Sequence, residues 1–202
     1  MEEIRSLFDF NSLNSLNLEK GRVIISDPFI NDDYFSKSVI LLCETNDKGA
    51  FGLVLNNYID EDLSDFMVKF KDVDCKDFKI SLGGPVDVDS IYYIHTRPDL
   101  ILDSIEVYQN IYLGNGENFD QIAELISNGS LSNNEIKFCL GYSGWTPGQL
   151  EEELERNSWF VANVSQKSLM EYHESDLWKK TLEQMSAKHR VISNFPLNPM
   201  LN

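Results

Sequence analysis

The chain has 202 residues, 42% hydrophobic and 25% charged, which suits one globular domain and excludes a disordered tail, a collagen-like fibre and a small disulfide scaffold. Lys plus Arg number 17 against 33 Asp plus Glu, a formal net charge of -16. The average surface therefore repels polyanions, and direct nucleic-acid binding is not expected.

Residues 1–20, rich in Asn, Ser and Leu, show no firm period and read as an N-terminal arm packed on the domain. From Gly21 the pattern sharpens. Arg22 to Ser26 and Val39 to Thr45 are apolar, β-branched runs of strand length, and Asn46-Asp47-Lys48-Gly49 turns the second into Ala50 to Asn56, an antiparallel hairpin. Leu63, Phe66, Met67 and Phe70 follow at i, i+3, i+4, i+7 and predict a short helix capped by Asp60 or Asp62. Two strands, Phe78 to Leu82 and Ile91 to His95, flank Gly83-Gly84-Pro85, and Ile105 to Leu113 reads as a hairpin with Gln109-Asn110 at its tip. Phe119, Ile122, Ala123 and Ile126 return to helical spacing, with Asn118 as cap, Gln121 completing a capping box and Asn128-Gly129 as the stop. Ile136 to Tyr142 is a strong strand ending at Gly141 and Gly144. Thr146-Pro147-Gly148-Gln149 then reads as a helix start: Thr146 caps, Pro147 takes the first helical position and Gln149 reaches back. That helix runs to about Asn157, Trp159 to Val164 forms a further strand, and Leu177, Trp178, Thr181, Leu182 and Met185 mark a closing amphipathic helix. Hairpins among the early strands predict an α+β fold: a single domain over 21–192 whose mixed, mostly antiparallel sheet is covered by helices, followed by a tail at 193–202.

Three stretches in order resemble the YqgE/AlgH family of bacterial proteins. Asp27-Pro28 precedes Phe35 to Glu44 and Gly49 to Asn56. Leu82-Gly83-Gly84-Pro85-Val86 comes next, with Ile94-His95 about ten residues on. Leu140-Gly141-Tyr142-Ser143-Gly144-Trp145 leads into Gly148 to Leu154 and Asn157 to Trp159. The resemblance implies a bulged, half-barrel-like sheet, and some members carry the name of transcriptional regulator, with no reaction attached. Leu113-Gly114-Asn115-Gly116 departs from a Thr/Ser-rich segment common in the family, so no ligand contact is carried over to that loop.

Each candidate site has a structural and a chemical reading. The Gly83-Gly84-Pro85 bend either lets the sheet curl or presents amides to an anion, although Pro85 removes one donor. Gly114-Asn115-Gly116 is not a dinucleotide fingerprint, because Phe119 stands where the third glycine is needed. Gly141-Tyr142-Ser143-Gly144 misses the nucleophile-elbow spacing by one residue, leaving Ser143 as a turn hydroxyl. His95 is a strand-end histidine that satisfies a local hydrogen bond or acts as a base. Glu153 falls beside the inward stripe of its helix and, if buried, needs donors; a brace to a backbone loop is the structural use. Trp145, Gln149 and Trp159 read as core and cap, or as the rim of a pocket.

The longest apolar run, Val39 to Cys43, is too short to cross a bilayer, and Met1-Glu2-Glu3 does not begin a secretory signal, so a cytoplasmic location without membrane contact is expected. Cys43, Cys75 and Cys139 cannot all pair and fit a reducing compartment. His95, His173 and His189 have no metal-ligand spacing, and no cofactor is expected. The leading functional expectation is a binding or regulatory protein that acts on an unknown protein or small-molecule partner, with Gly83 to Pro85 and Gly141 to Gln149 as the working surface. The alternative is a hydrolase that pairs His95 with Glu153 and uses the glycine bend as donor.

Overall fold

The computed structural model describes residues 16–30, 32, 34–114, 116–171 and 175–194. The tail from 195 and most of the predicted arm, 1–15, lie outside the described residues. Leu16 and Leu18, at the arm's end, pack against the domain.

Among the described residues nine strands form one sheet: β1 (Val23–Ser26), β2 (Val39–Asn46), β3 (Gly49–Val54), β4 (Ile80–Leu82), β5 (Val86–His95), β6 (Ile105–Tyr108), β7 (Ile111–Leu113), β8 (Ile136–Trp145) and β9 (Trp159–Ala162). Their order is β6-β7-β5-β8-β3-β2-β1-β9, with β4 added against β8. The β4–β8 pairing is parallel and the others are antiparallel. The sheet is open, ending at β6 and β9, but it curls: a Cβ on Gly21 would lie 2.8 Å from Tyr108 Cβ of the edge strand β6. Bulges fall between Leu42 and Glu44, Val86 and Ile91, and Glu106 and Tyr108, and each locally sharpens the twist.

Six helices flank the sheet among the described residues: α1 (Leu63–Phe66), α2 (Phe119–Ser127), α3 (Gln149–Glu155), α4 (Gln166–Glu171), α5 (Ser175–Met185) and α6 (Ala187–Ile192). Strands β1 and β9 and the first half of β2 are buried apolar runs because both faces are covered, whereas β6 and the first half of β5 are largely exposed. In β1 and β9, Val23, Ile25, Phe160 and Ala162 join Leu169, Leu177, Trp178 and Leu182 of α4 and α5 in one core. Their neighbours Ile24, Trp159 and Val161 join Trp145 and Leu150 in another. A third core sets Tyr93 and Phe138 against Phe119, Ile122 and Ile126 of α2. Burying a side chain of this size contributes about 1.5–3 kcal/mol.

Several local expectations need correction. The stripe from Leu63 to Phe70 is not one helix: α1 ends at Phe66, Met67 is extended at φ -138, and Val68–Phe70 form a 3-10 turn. Leu63 and Phe70 are buried and Met67 packs partly buried against the core, whereas Val68 is 85% exposed. Asp62 is the N-cap, its amide donating to the Asp65 carboxylate at 3.0 Å. Asn118 holds the cap position of α2, yet its side chain and that of Gln121 donate to the carbonyls of Leu102 and Leu100 at 2.8 and 2.9 Å. They tie the helix to a loop instead of capping it. Strand β8 does not stop at Tyr142 but continues to Trp145.

Candidate functional site

Strands β4 and β5 are consecutive in sequence, yet they flank β8 on opposite edges. Ile80, Ser81 and Leu82 lie opposite Phe138, Cys139 and Leu140 in parallel. Those three residues of β8 face Tyr93, Tyr92 and Ile91 on the other side. The chain between β4 and β5 is only Gly83-Gly84-Pro85, so it must pass over β8. The passage lies on Gly141 to Ser143. A Cβ on Gly84 would fall 1.9 Å from the Tyr142 carbonyl carbon, and one on Gly83 would fall 2.4 Å from the Gly141 oxygen. Gly141 has φ +66, and a Cβ there would meet the Gly84 oxygen at 2.6 Å. Backbone rests on backbone, which only glycine permits.

The crossing is held by hydrogen bonds. The Gly83 amide donates to Leu140 O at 2.8 Å, while the Val54 amide and the buried Ser143 hydroxyl donate to Gly83 O at 3.0 and 3.1 Å. These bonds weigh against the anion-binding reading of the bend. The Gly83 donor is committed, and neither Gly83 nor Gly84 takes a positive φ, as the alternating backbone of an anion nest requires. Pro85 is exposed and removes a further amide.

The residues after Gly144 form a second unit. Glu153 Oε2 accepts the indole N–H of Trp145 at 2.9 Å and that of Trp159 at 2.7 Å, and Oε1 accepts from Gln149 Nε2 at 3.0 Å. The two indoles meet edge to face, 6.3 Å between centroids. Glu153 is thus a brace, but to three side-chain donors and not to a backbone loop. Gln149 reaches back as the sequence indicates, accepting from the Thr146 amide at 3.1 Å. The helix, however, starts three residues later than Thr146: Gly148, with φ +80, is the N-cap of α3, and Pro147 stays in the preceding turn.

His95 lies at the far end of β8, opposite Ile136. It is fully buried, stacked on Tyr112 with ring centroids 5.7 Å apart. Its Nδ1 accepts the Arg97 amide at 3.2 Å, and burial pushes its pKa down to about 4. Because Trp145 and its partner Glu153 sit at the other end of the strand, nine steps of about 3.3 Å put His95 on the order of 25–30 Å away. The acid–base pair of the hydrolase expectation does not assemble, since such partners must lie near 3 Å.

Sequence reasoning passed over Lys137, which is 5% exposed and donates to the Tyr58 hydroxyl at 2.6 Å, with burial pushing its pKa down to about 8. The available signal was one charge inside the apolar run Ile136 to Tyr142. It considered Gly114 only as part of a rejected fingerprint; a Cβ there would strike the Tyr93 ring at 1.9 Å, which gives that glycine a packing role. Cys43 and Cys139 are buried, and burial raises both thiols, so neither is a thiolate at neutral pH.

An open groove of about 610 Å³ lies beside Gly144. Phe51, Tyr92 and Tyr142 line it, their ring centroids 4.9–5.8 Å apart. Trp145, Thr146 and Pro147 continue the wall, with Glu44 and Lys48 at the hairpin end. The Tyr92 hydroxyl donates to Asp87 at 2.9 Å, and burial, together with that carboxylate, raises the phenol to about 12.

Fold and site define a class: a one-sheet α+β protein organised around a glycine crossing, with an aromatic groove beside it. Comparison with known proteins gives the family. The AlgH-like family profile matches residues 23–190, and the chain belongs to that family. A UPF0301 protein of Cytophaga hutchinsonii is 36% identical over 186 residues, covering 92% of this chain and 100% of the relative. One from Bacteroides thetaiotaomicron is 35% identical over 196 residues, covering 97% of each. Among solved structures, a Corynebacterium diphtheriae protein aligns with TM-score 0.75 at 22% identity, over 92% of this chain and 97% of that one. The solution structure of AlgH from Pseudomonas aeruginosa aligns with TM-score 0.68 at 22% identity, over 90% and 98%. At that identity the likeness shows the fold. No helix among the described residues is long and apolar enough to cross a membrane.

Proposed function

We propose that the protein is a cytoplasmic, non-enzymatic binding protein with a regulatory role, and that its working surface is the groove between Phe51, Tyr92, Tyr142 and the Trp145–Pro147 wall. One observation carries the reading. The polar groups of the glycine and tryptophan motifs are committed to one another, whereas the aromatic rings beside them line an open groove. Partly exposed aromatic side chains are the common anchors of binding surfaces. Any effect on transcription would then pass through a bound partner, consistent with the net charge of -16.

The test is photo-crosslinking in cells from the exposed groove position Thr146, with the exposed and distant Asp74 as control. The expected result is a defined adduct from Thr146 that is absent from Asp74. Equal capture from both positions would contradict the reading. So would turnover of an ester, phosphate or nucleotide panel that Glu153→Gln or His95→Ala abolishes.

A further inference from the structure

The groove adjoins an unpaired strand edge. Phe138 to Leu140 of β8 have a neighbour on each side and Tyr142 pairs with Val86 of β5, but Gly144 and Trp145, beyond the crossing, pair only with β3. On the β5 side the ladder ends at Val86, opposite Tyr142, because β5 begins there and Pro85 turns away into the crossing. The bulged residues that follow Val86 are exposed: Val88 at 52%, with Asp87 held at φ +52. An unpaired edge accepts an added strand, and Gly144 places no side chain over the Tyr142 ring beside it.

The charge around that edge has a sign. Glu44 is an exposed carboxylate in the groove lining, and Asp87 holds the Tyr92 hydroxyl. A phenol donating to a carboxylate becomes a more electron-rich ring, and electron-rich faces attract ammonium and guanidinium groups. Lys48, at the exposed hairpin tip, is the single basic residue of the lining. The whole chain carries -16, which steers cations toward it.

Resting on the groove reading above, we infer that the occupant is an extended basic segment of a partner protein. Its backbone adds to the free edge at Gly144–Trp145, just past the crossing, and a lysine or arginine side chain lies over Tyr92 and Tyr142 with Glu44 and Asp87 as counter-charges. A free polyamine offers the same cation without the strand, so the unpaired edge favours the peptide.

The probe is a capped hexapeptide of alternating lysine and leucine, titrated into the full-length protein and followed by backbone amide shifts. Controls are the same peptide with glutamate for lysine, and spermidine. The expected result is saturable binding with shifts confined to residues 44–51, 86–92 and 142–147, at least about 10-fold tighter than either control. The Glu44→Gln/Asp87→Asn pair, both at exposed positions, should weaken it about 5-fold, as expected for surface charges worth up to about 1 kcal/mol together. Lys48→Glu should tighten it about 2- to 3-fold. Tyr92→Phe, which keeps the ring and removes the bond to Asp87, should weaken it by a smaller factor than the charge pair. Equal binding of the glutamate peptide or of spermidine, or shifts spread over the acidic surface, would overturn the inference. If the basic peptide fails while Thr146 still captures a defined partner in cells, the groove reading stands and the cationic partner falls.

Discussion

Two neighbouring regions of β8 use the same kind of residue to opposite ends. At Gly141 to Ser143 the strand is covered by Gly83 and Gly84, with contacts too close for any side chain. One residue further on, Gly144 is exposed and opens onto a groove walled by aromatic rings. The first glycines let one strand be flanked by two consecutive strands joined by three residues. The second leaves a strand edge and a ring face accessible. A glycine-rich motif is therefore not one signal: here part of it sets topology and part of it bounds a surface.

The largest predicted effect falls on the crossing. Gly141→Ala combines a left-handed backbone with a 2.6 Å contact to a carbonyl oxygen and should cost on the order of 4 kcal/mol, among the most severe single substitutions. Chemical denaturation measures it, and a loss below about 1 kcal/mol would mean that the strap does not rest on β8. Next comes His95. Its folded pKa of about 4 lies below its ordinary 6.5, so the fold holds it neutral. That contribution is complete above pH 6.5 and is lost as pH falls through 4, on the order of 3 kcal/mol in all. Unfolding titrations of the wild type and His95→Gln should differ in slope across that window, and parallel slopes would refute the assignment.

Glu153→Gln comes third. A glutamine offers one acceptor oxygen where two indoles and Gln149 now donate, so the loss should be about 2 kcal/mol with a shift in tryptophan fluorescence. If fluorescence and stability are both unchanged, the brace is absent. The smallest effect belongs to Gly148→Ala. Its φ of +80 is strained for alanine, but nothing lies within 4 Å of the added methyl. A cost of about 1 kcal/mol is expected, and a cost equal to that of Gly141→Ala would erase the distinction between crowded and merely turned glycines.

Much of the fold was legible in the sequence because strands covered on both faces give unbroken apolar runs, such as Val39 to Cys43, and because Asn46 to Gly49 and Gln109-Asn110 carry turn chemistry. The positive φ values of Gln109 and Asn110, +39 and +63, bear out the hairpin tip. The crossing was not legible. Adjacent glycines indicate a bend, but that the bend passes over a strand some 55 residues later depends on pairing order, which local pattern does not encode. The Trp145–Glu153–Trp159 brace was half legible: helical spacing placed Glu153 beside the inward face, but its two indole donors come from a strand on each side of the helix. The groove was not legible either, because Phe51, Tyr92 and Tyr142 come from three strands.

The most direct test is Gly84→Ala in the full chain, read by equilibrium unfolding alongside Gly148→Ala. A methyl at position 84 would meet the β8 backbone at 1.9 Å, so Gly84→Ala is expected to lose several times the stability that Gly148→Ala loses. Equal, small losses in the two variants would contradict a glycine strap laid across β8.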